Sequence, residues 1–186
     1  MGVAIAAAAW RRGANVTLVA GPLDVPPPEG VTVVHVETTE QMARAVAQAL
    51  PRAAALVMAA APADFGVALP ASSKVKKSTR PAQLTLTPTV DILESTRERR
   101  REGAVIVGFA LETDDLLSNA RAKLEAKALD LVVVNDAREP GAAFAVDTNR
   151  VTLVDAAGGV EDLPLMTKAE LADLLLDRVE ARLRGC

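Results

Sequence analysis

Residues 104–136 read AVIVGFALETDDLLSNARAKLEAKALDLVVVND, and this stretch decides the fold class. Its two ends, Ala104 to Phe109 and Leu131 to Val134, are short apolar runs typical of parallel strands that are buried on both faces. The segment between them, from Thr113 to Leu129, predicts a helix. A strand, a helix and a second strand in this order predict an α/β protein with a Rossmann-like, doubly wound and mostly parallel sheet.

The same alternation continues on both sides of this unit, so residues 1–186 are predicted to form one domain. The other predicted helices are Gly2 to Arg12, a helix after a capping box at Thr38 and Gln41, Val90 to Arg101, and a last helix that begins at a second capping box, Thr167 and Glu170. The other predicted strands are Val16 to Val19, Val31 to Val36, Ala54 to Ala61 and Gln83 to Thr87, followed by a C-terminal β-hairpin of Arg150 to Val154 and Val160 to Leu163.

The region around residue 60 is the part of this pattern that bears most on function. Ala54 to Ala61 is continuously apolar and predicts a central strand covered on both faces. It is followed by Pro62 to Pro81, which carries no strong periodic signal. Loops of that length inside a compact domain are usually functional or mobile, and under the first alternative the polar residues of this loop are candidates for a site.

Composition excludes several classes of function. The 21 basic and 24 acidic side chains give a net charge of −3, which argues against a broad nucleic-acid or anionic-membrane surface. A single cysteine, Cys186, and a single histidine, His35, exclude a disulfide scaffold, a Cys/His metal site and a Cys–His nucleophile pair. The longest apolar run, Ala53 to Ala63, is much shorter than the ~20 residues of a membrane span, and we expect a cytoplasmic protein.

Ligands of doubly wound sheets bind beyond the carboxyl ends of the strands, and these positions carry a consistent set of residues. Lysines suit a polyphosphate, backbone N–H groups at the start of a helix suit an anion, and an aromatic ring can stack on a nucleobase. The candidates are Asp64, Lys74, Lys76 and Lys77 in the long loop, Thr89 to Leu93 at a helix start, Phe109, the helical pair Lys123 and Lys127, and Asn135 with Asp136. Each has a structural alternative: a solvated loop or helix face, a helix cap, or a core aromatic. Together they predict an anionic, nucleotide-like ligand with a metal-bridged phosphate chain.

Several short motifs add a resemblance to a known family. RGANVTLVAGP at residues 12–22 resembles RGAxVTLVxGP, AAPADF at 60–65 resembles AAVADY, and Lys74 to Lys77 match KxKK. GFALET at 108–113 matches GFAxET, and Lys123, Lys127 and DLVVVND at 130–136 match KxxxK…DLxxAND. In this order and spacing the chain resembles phosphopantothenoylcysteine synthetase, the CTP-dependent ligase of bacterial coenzyme A biosynthesis.

The resemblance implies a ligation in which CTP activates the carboxylate of 4′-phosphopantothenate as an acyl-cytidylate, and L-cysteine then forms the amide with release of CMP. It implies Mg²⁺ with CTP, a homodimer, no FMN in this chain, and a flavin-dependent decarboxylase domain fused or associated upstream. Lys74 would stabilise charge during both steps, with Lys76, Lys77 and Asn135 in support. The implied CTP contacts are Met58, Ala59, Ala60, Asp64, Lys74, Val90, Asp91, Ile92, Leu93, Phe109, Lys123 and Lys127.

The sequence departs from the family pattern at three places. Pro62 stands where the family has valine, and Val90 where it usually has proline. Met1-Gly2 matches the end of the family's SSGKMG motif, so the resemblance implies a chain without the first strand and its Ser-Ser-Gly-Lys turn. We therefore expect CTP binding with poor ligation. The alternatives are a non-catalytic nucleotide-binding or dimerisation fragment, and an NAD(P)-dependent oxidoreductase, whose G-x-G-x-x-G fingerprint the sequence lacks.

Overall fold

The computed structural model of the chain describes residues 1–74, 83–112, 114–136 and 147–185. Its α-helices are α1 (Gly2–Arg11), α2 (Thr39–Ala49), α3 (Ile92–Ser95), α4 (Leu116–Lys127) and α5 (Lys168–Arg184). Its strands are β1 (Thr17–Ala20), β2 (Thr32–His35), β3 (Ala55–Met58), β4 (Phe65–Val67), β5 (Leu86–Pro88), β6 (Val105–Glu112), β7 (Leu131–Asp136), β8 (Thr148–Asn149), β9 (Val151–Asp155), β10 (Val160–Asp162) and β11 (Met166–Thr167). None of the helices in these ranges is long and apolar enough to cross a membrane.

The largest sheet has five strands in the order β10-β9-β7-β6-β3. Strands β3, β6 and β7 run parallel, while β9 and β10 form the predicted antiparallel hairpin. The predicted βαβ unit is β6-α4-β7. The carboxylate of Asp130, just before β7, accepts the backbone N–H of Ile106 in β6 at 2.6 Å and so ties the start of β7 to β6. The predicted α/β fold with a mostly parallel sheet is confirmed.

Apolar side chains are buried on both faces of this sheet. One core lies between the sheet and α2, α3 and α4, and the other lies between the sheet and α1 and α5. Strand β7 contributes side chains to both cores: Val132 and Val134 pack on one face, and Leu131 and Val133 pack on the other. This alternation explains why the segment reads as a continuous apolar run.

The prediction of a central strand at Ala54 to Ala61 is wrong in its position. Strand β3 pairs with β6 on one side only and is an edge of the five-stranded sheet. Its residues are half-buried apart from Met58, which is 8% exposed. On its other side lies a cleft of about 2090 Å³, and the far wall of that cleft is β1. Strand β1 pairs in parallel with β2 in a separate two-stranded sheet.

Three further predictions between residues 62 and 101 are corrected. The predicted loop contains β4, which pairs antiparallel with β5, so the strand predicted at Gln83 to Thr87 lies slightly later. The helix predicted from Val90 to Arg101 is only one turn long, followed by a 3₁₀ turn at Arg97–Arg99. Arg100 explains the early end, since its guanidinium donates to the carbonyl of Leu93 at 2.6 Å. Lys76, Lys77 and Thr113 lie outside the described residues.

Candidate functional site

Lys123 points to the carboxyl end of the sheet. Its ammonium donates to the carbonyl oxygen of Phe109, near the end of β6, at 2.7 Å. Burial lowers the pKa of Lys123, and the positive charge of Lys127 lowers it further, against the opposing effect of nearby carboxylates such as Glu112. The half-buried ammonium is therefore a fixed positive charge beside the end of a central strand, where a ligand of this fold binds.

Lys127 lies one helical turn later and is held by Asp91. The Lys127 ammonium and the Asp91 carboxylate are 2.6 Å apart. Asp91 also caps α3, because its other oxygen accepts the backbone N–H of Glu94 at 3.0 Å. Burial alone would raise the pKa of Asp91, but the hydrogen bonds from Lys127 and Glu94 hold it below its ordinary value. Asp91 is thus both the helix cap that the sequence allowed and part of the charged cluster.

Thr89 brings two distant loops together. Its hydroxyl donates to the carbonyl of Ala63 at 2.6 Å, and its backbone N–H donates to the carbonyl of Asp64 at 2.9 Å. The alternative that Thr89 or Asp91 caps the helix is confirmed for Asp91, whose side chain is the cap. As a result, Asp64 lies beside the start of α3, its side chain exposed and close enough to affect the charge on Lys123.

The apolar residues predicted to meet a nucleotide with their backbone are mostly core residues. Met58, Ile92 and Leu93 are at most 8% exposed and belong to one buried cluster. Ala60 is exposed just beyond β3, and Val90 is exposed just before α3. The predicted backbone contacts of these residues with a nucleotide stay predictions.

Ala59 and Phe109 lie on the opposite face of the sheet from α4. Both are half-buried and pack against the core that α1 and α5 cover. The alternative of a core aromatic therefore describes Phe109 in part, although its ring is not fully enclosed. Its carbonyl oxygen, which holds Lys123, is a contact that the sequence gave no means to foresee.

Lys74 and Asn135 differ from the residues above because the side chain of neither has a hydrogen-bond or ion-pair partner in the described part of the chain. Lys74 is exposed at the end of a described segment. Asn135, at the end of β7, carries a buried side-chain oxygen without a hydrogen-bond donor among the described residues.

Glu112 was not singled out as a site residue, yet its carboxylate accepts the amide of Asn119 at 2.9 Å and lies near Lys123. The sequence signal that could have identified Glu112 is its place at the end of an apolar strand.

The arrangement suits an anion better than a bare metal ion. The described residues contain no group of three or more His, Cys, Asp or Glu side chains that could hold a metal. Two lysines, a helix start and an exposed carboxylate instead converge on one edge of the sheet, a combination that can hold a phosphate chain.

Comparison with characterised proteins agrees with this geometry. The family model for the DNA/pantothenate metabolism flavoprotein C-terminal domain matches residues 1–183. The chain is 36% identical over 180 residues to a cysteine/cysteine sulfinic acid decarboxylase from an unknown prokaryotic organism, covering 96% of this chain and 50% of that protein. It is 38% identical over 182 residues to the coenzyme A biosynthesis bifunctional protein CoaBC of Bacillus subtilis, covering 97% of this chain and 45% of that protein. The chain thus spans about half the length of these relatives.

Solved structures give the same result. The C-terminal domain of a coenzyme A biosynthesis bifunctional protein CoaBC superposes with a TM-score of 0.82 at 33% identity, over 99% of this chain and 82% of that chain. A Cab2 mutant in complex with phosphopantothenate-cysteine shares the fold, with a TM-score of 0.60 at 22% identity over 84% of this chain and 54% of that chain. The resemblance found in the sequence is confirmed, and the chain belongs to the family of the DNA/pantothenate metabolism flavoprotein C-terminal domain.

Proposed function

We propose that this domain is a phosphopantothenate–cysteine ligase that uses CTP. The observation that carries the proposal is the pair of lysines at the carboxyl edge of the sheet, with Lys123 fixed on the carbonyl of Phe109 and Lys127 fixed on Asp91. A pair of ordered ammonium groups of this kind suits the triphosphate of a nucleotide. Membership in a family whose relatives include coenzyme A biosynthesis proteins, and the Cab2 complex with phosphopantothenate-cysteine, support the choice of substrates.

The proposed reaction has two steps. The carboxylate of 4′-phosphopantothenate attacks the α-phosphorus of CTP, an acyl–phosphate bond forms, and pyrophosphate leaves. The amine of L-cysteine then attacks the acyl carbon, the amide forms, CMP leaves with the electron pair of the broken bond, and the amine loses a proton. In this scheme Lys123 and Lys127 bind phosphate oxygens, while Lys74 acts where negative charge develops.

Mg²⁺ fits the site as a companion of the nucleotide and not as a resident ion. It is usually held by one or two carboxylates together with substrate phosphates and water, so a protein cage is not needed. Asp64 is an exposed carboxylate in the right place, tied through its backbone to Thr89. When bound, Mg²⁺ would offset charge on the triphosphate and on the departing pyrophosphate.

The preference for CTP rests on the family resemblance and on backbone groups around Ala60 and Ile92, which in this proposal would read the edge of a pyrimidine. Calorimetry with CTP, UTP and ATP in the presence of Mg²⁺ tests this choice. We expect CTP to bind most tightly and UTP to be the next competitor, because UTP differs only at the base edge. Equal or tighter binding of ATP would contradict the cytidine preference.

The proposal includes a homodimer. The ribbon of β4 and β5 exposes apolar side chains, with Phe65 59% and Leu86 57% accessible, and Leu69 and Leu84 beside them are more exposed still. Exposed apolar clusters on soluble proteins commonly mark contacts with other polypeptides. Light scattering should give twice the monomer mass, and Leu86→Asp should return the domain to the monomer.

A decarboxylase domain, fused or associated, is the proposed partner in the longer polypeptide, because the named relatives are about twice the length of this chain. The proposed location is the cytoplasm, where the nucleotide is found. The decisive experiment uses the full-length polypeptide that carries the domain and measures CTP binding, pyrophosphate release with phosphopantothenate, and CMP formation with cysteine. Turnover supports the ligase; nucleotide binding without turnover supports a non-catalytic fragment, and binding of NAD(P) supports an oxidoreductase.

A further inference from the structure

Arg100 joins the two helices that carry the charged pair of Asp91 and Lys127. Its guanidinium donates from Nη1 to the carbonyl oxygen of Ala128 and from Nη2 to the carbonyl oxygen of Leu93, each at 2.6 Å. Leu93 lies two residues after Asp91, and Ala128 directly follows Lys127. The two hydrogen bonds therefore fall beside the two residues whose side chains form the ion pair.

The shape of the guanidinium makes this contact a fixed fork. The group is planar and rigid, so the positions of its two terminal nitrogens relative to each other do not change. The two carbonyl oxygens that it binds are thereby held at a set separation, and with them the ends of α3 and α4. A lysine would carry the same charge but could not bind two carbonyls in this geometry, because its ammonium is a compact charge on a flexible stem.

Neither helix end is strongly held by its own backbone. Helix α3 is a single turn of four residues, which is too short to be stable without tertiary contacts. Helix α4 ends at Ala128, whose φ of 46° lies in the left-handed region that disfavours residues with a Cβ atom. The hydrogen bond from Arg100 is made to the carbonyl of this strained residue, and it offsets part of the strain.

Apolar packing holds the same two segments against the sheet. A Cβ atom placed on Gly108 of β6 would lie 2.8 Å from Cδ1 of Leu129 and 3.7 Å from Cδ1 of Leu93. Leu93 and Leu129 therefore pack against backbone that has no side chain of its own. This packing fixes the distance of both segments from β6, and Arg100 adds a polar link between them.

The position of Arg100 has a cost. Its side chain is half-buried, and its Nε is buried without an acceptor among the described residues. Burial lowers the pKa of Arg100, and the charge of Arg97 lowers it further, against the opposing effect of Asp130. Partial loss of water around a charge is unfavourable, and a fork that fixes the geometry of the neighbouring ion pair gives this cost a function.

We propose that Arg100 is a positioning residue for phosphate binding. Its fork holds α3 and α4 at the separation at which Asp91 meets Lys127, and so orders the Lys127 ammonium for a phosphate oxygen. Arg100 acts through Lys127 and does not itself contact the phosphate. The role in phosphate binding rests on the proposed function, whereas the effect on the ion pair does not.

The first measurement needs no ligand. The carboxyl signal of Asp91 is followed by NMR as a function of pH in the native chain, in Arg100→Met and in Arg100→Lys. The matched control is Arg99→Met, which changes an exposed arginine in the adjacent 3₁₀ turn. The bond from Lys127 helps to hold the pKa of Asp91 below its ordinary value, and Lys123, which also acts on this charge, is kept in every variant.

The pKa of Asp91 should rise in both Arg100 variants and stay unchanged in the Arg99 control. An unchanged pKa in the Arg100 variants would overturn the proposal. A native pKa in Arg100→Lys alone would also overturn it, because charge without the fork would then be sufficient. Should Arg100→Met fail to fold, the milder Arg100→Lys decides.

The second measurement is calorimetric titration with inorganic tripolyphosphate. Arg100→Lys should weaken binding about three- to tenfold in the native chain and in the Lys123→Gln background, because residues in contact show coupling of this size. In the Lys127→Gln background it should cause no further loss, since the ammonium that it orders is absent. An equal loss in that background would reveal a general structural effect and overturn the proposal.

The two measurements separate this proposal from the proposed function. If the native chain does not bind tripolyphosphate, the nucleotide site and the phosphate role of Arg100 both fail. The carboxyl titration then still decides whether Arg100 positions the ion pair of Asp91 and Lys127. If the native chain binds tripolyphosphate and the Arg100 variants bind it equally well, the positioning role alone fails.

Discussion

The two sides of the candidate site are built differently. On the side of α4, Lys123 and Lys127 are half-buried and each ammonium has a partner, the carbonyl of Phe109 and the carboxylate of Asp91. On the side of the loop after β3, Lys74 and Asp64 have exposed side chains. Ordered cations can bind a phosphate chain with little further loss of entropy, whereas an exposed lysine is free to follow charge that appears during a reaction. In the proposed function, the side of α4 is the binding side and the loop after β3 is the reacting side.

The largest expected effect tests the reacting side. Lys74→Gln should lower the rate of CMP formation by about 10²–10³-fold while CTP affinity changes little, because the lost charge acts mainly on the transition state. Turnover and calorimetric CTP binding are measured on the full-length polypeptide that carries the domain. Arg44→Gln, which removes an exposed positive charge from α2, is the matched control and should change neither quantity. Near-normal turnover of the Lys74 variant would remove this residue from the mechanism.

On the binding side we expect a smaller effect, which appears in CTP affinity and not in the rate of CMP formation. Lys123→Gln and Lys127→Gln should each weaken CTP binding by about ten- to a hundredfold, since a hydrogen bond to a charged group is worth about 1.5–3 kcal/mol. Rates at saturating CTP should change much less than in the Lys74 variant. Titration of inorganic tripolyphosphate gives an independent measurement that does not involve the base.

The pH dependence of the same titration tests the surroundings of Lys123. The pKa of Lys123 is lowered by burial and by Lys127, so Lys123 should lose its charge at a lower pH than an ordinary lysine. Tripolyphosphate affinity of the native chain should therefore decline on the alkaline side earlier than that of the Lys123→Gln variant. Identical pH profiles would contradict the fixed ammonium on Phe109.

The sequence predicted the parts of this molecule that depend on local patterns. Apolar runs such as Leu131 to Val134 lie where they were expected, and both capping boxes formed, at Thr38 with Gln41 and at Thr167 with Glu170. Apolar content reports whether the faces of a strand are covered, but not what lies along its hydrogen-bonding edge. That limit explains why β3 was predicted as central although one of its edges is open.

Within the candidate site, the residue types were predictable and their partners were not. A lysine pair spaced by four residues indicates a shared helix face, but whether that face meets a strand end depends on packing from elsewhere in the chain. The same applies to α3. This helix ends early because the guanidinium of Arg100, seven residues after Leu93, donates a hydrogen bond to the carbonyl of Leu93. Thr89 likewise bonds to Ala63, 26 residues away, rather than to its own helix.

The smallest expected effect separates the two roles of Asp91. Asp91→Asn keeps an N-cap acceptor and removes the ion pair with Lys127, whereas Asp91→Ala removes both, so alanine should cost about 1 kcal/mol more stability than asparagine.

The pKa of Asp91 is lowered in the folded chain, so its charge stabilises the fold above the ordinary aspartate pKa of about 3.9. This contribution disappears as the pH falls through the pKa of Asp91 in the folded chain. Urea unfolding at neutral and acidic pH should show the difference between the native chain and the Asn variant shrinking in acid. Glu29→Gln, an exposed acid-to-amide change, should show no such trend. A difference that stays constant down to low pH would mean that the Asp91–Lys127 pair does not stabilise the binding side through charge.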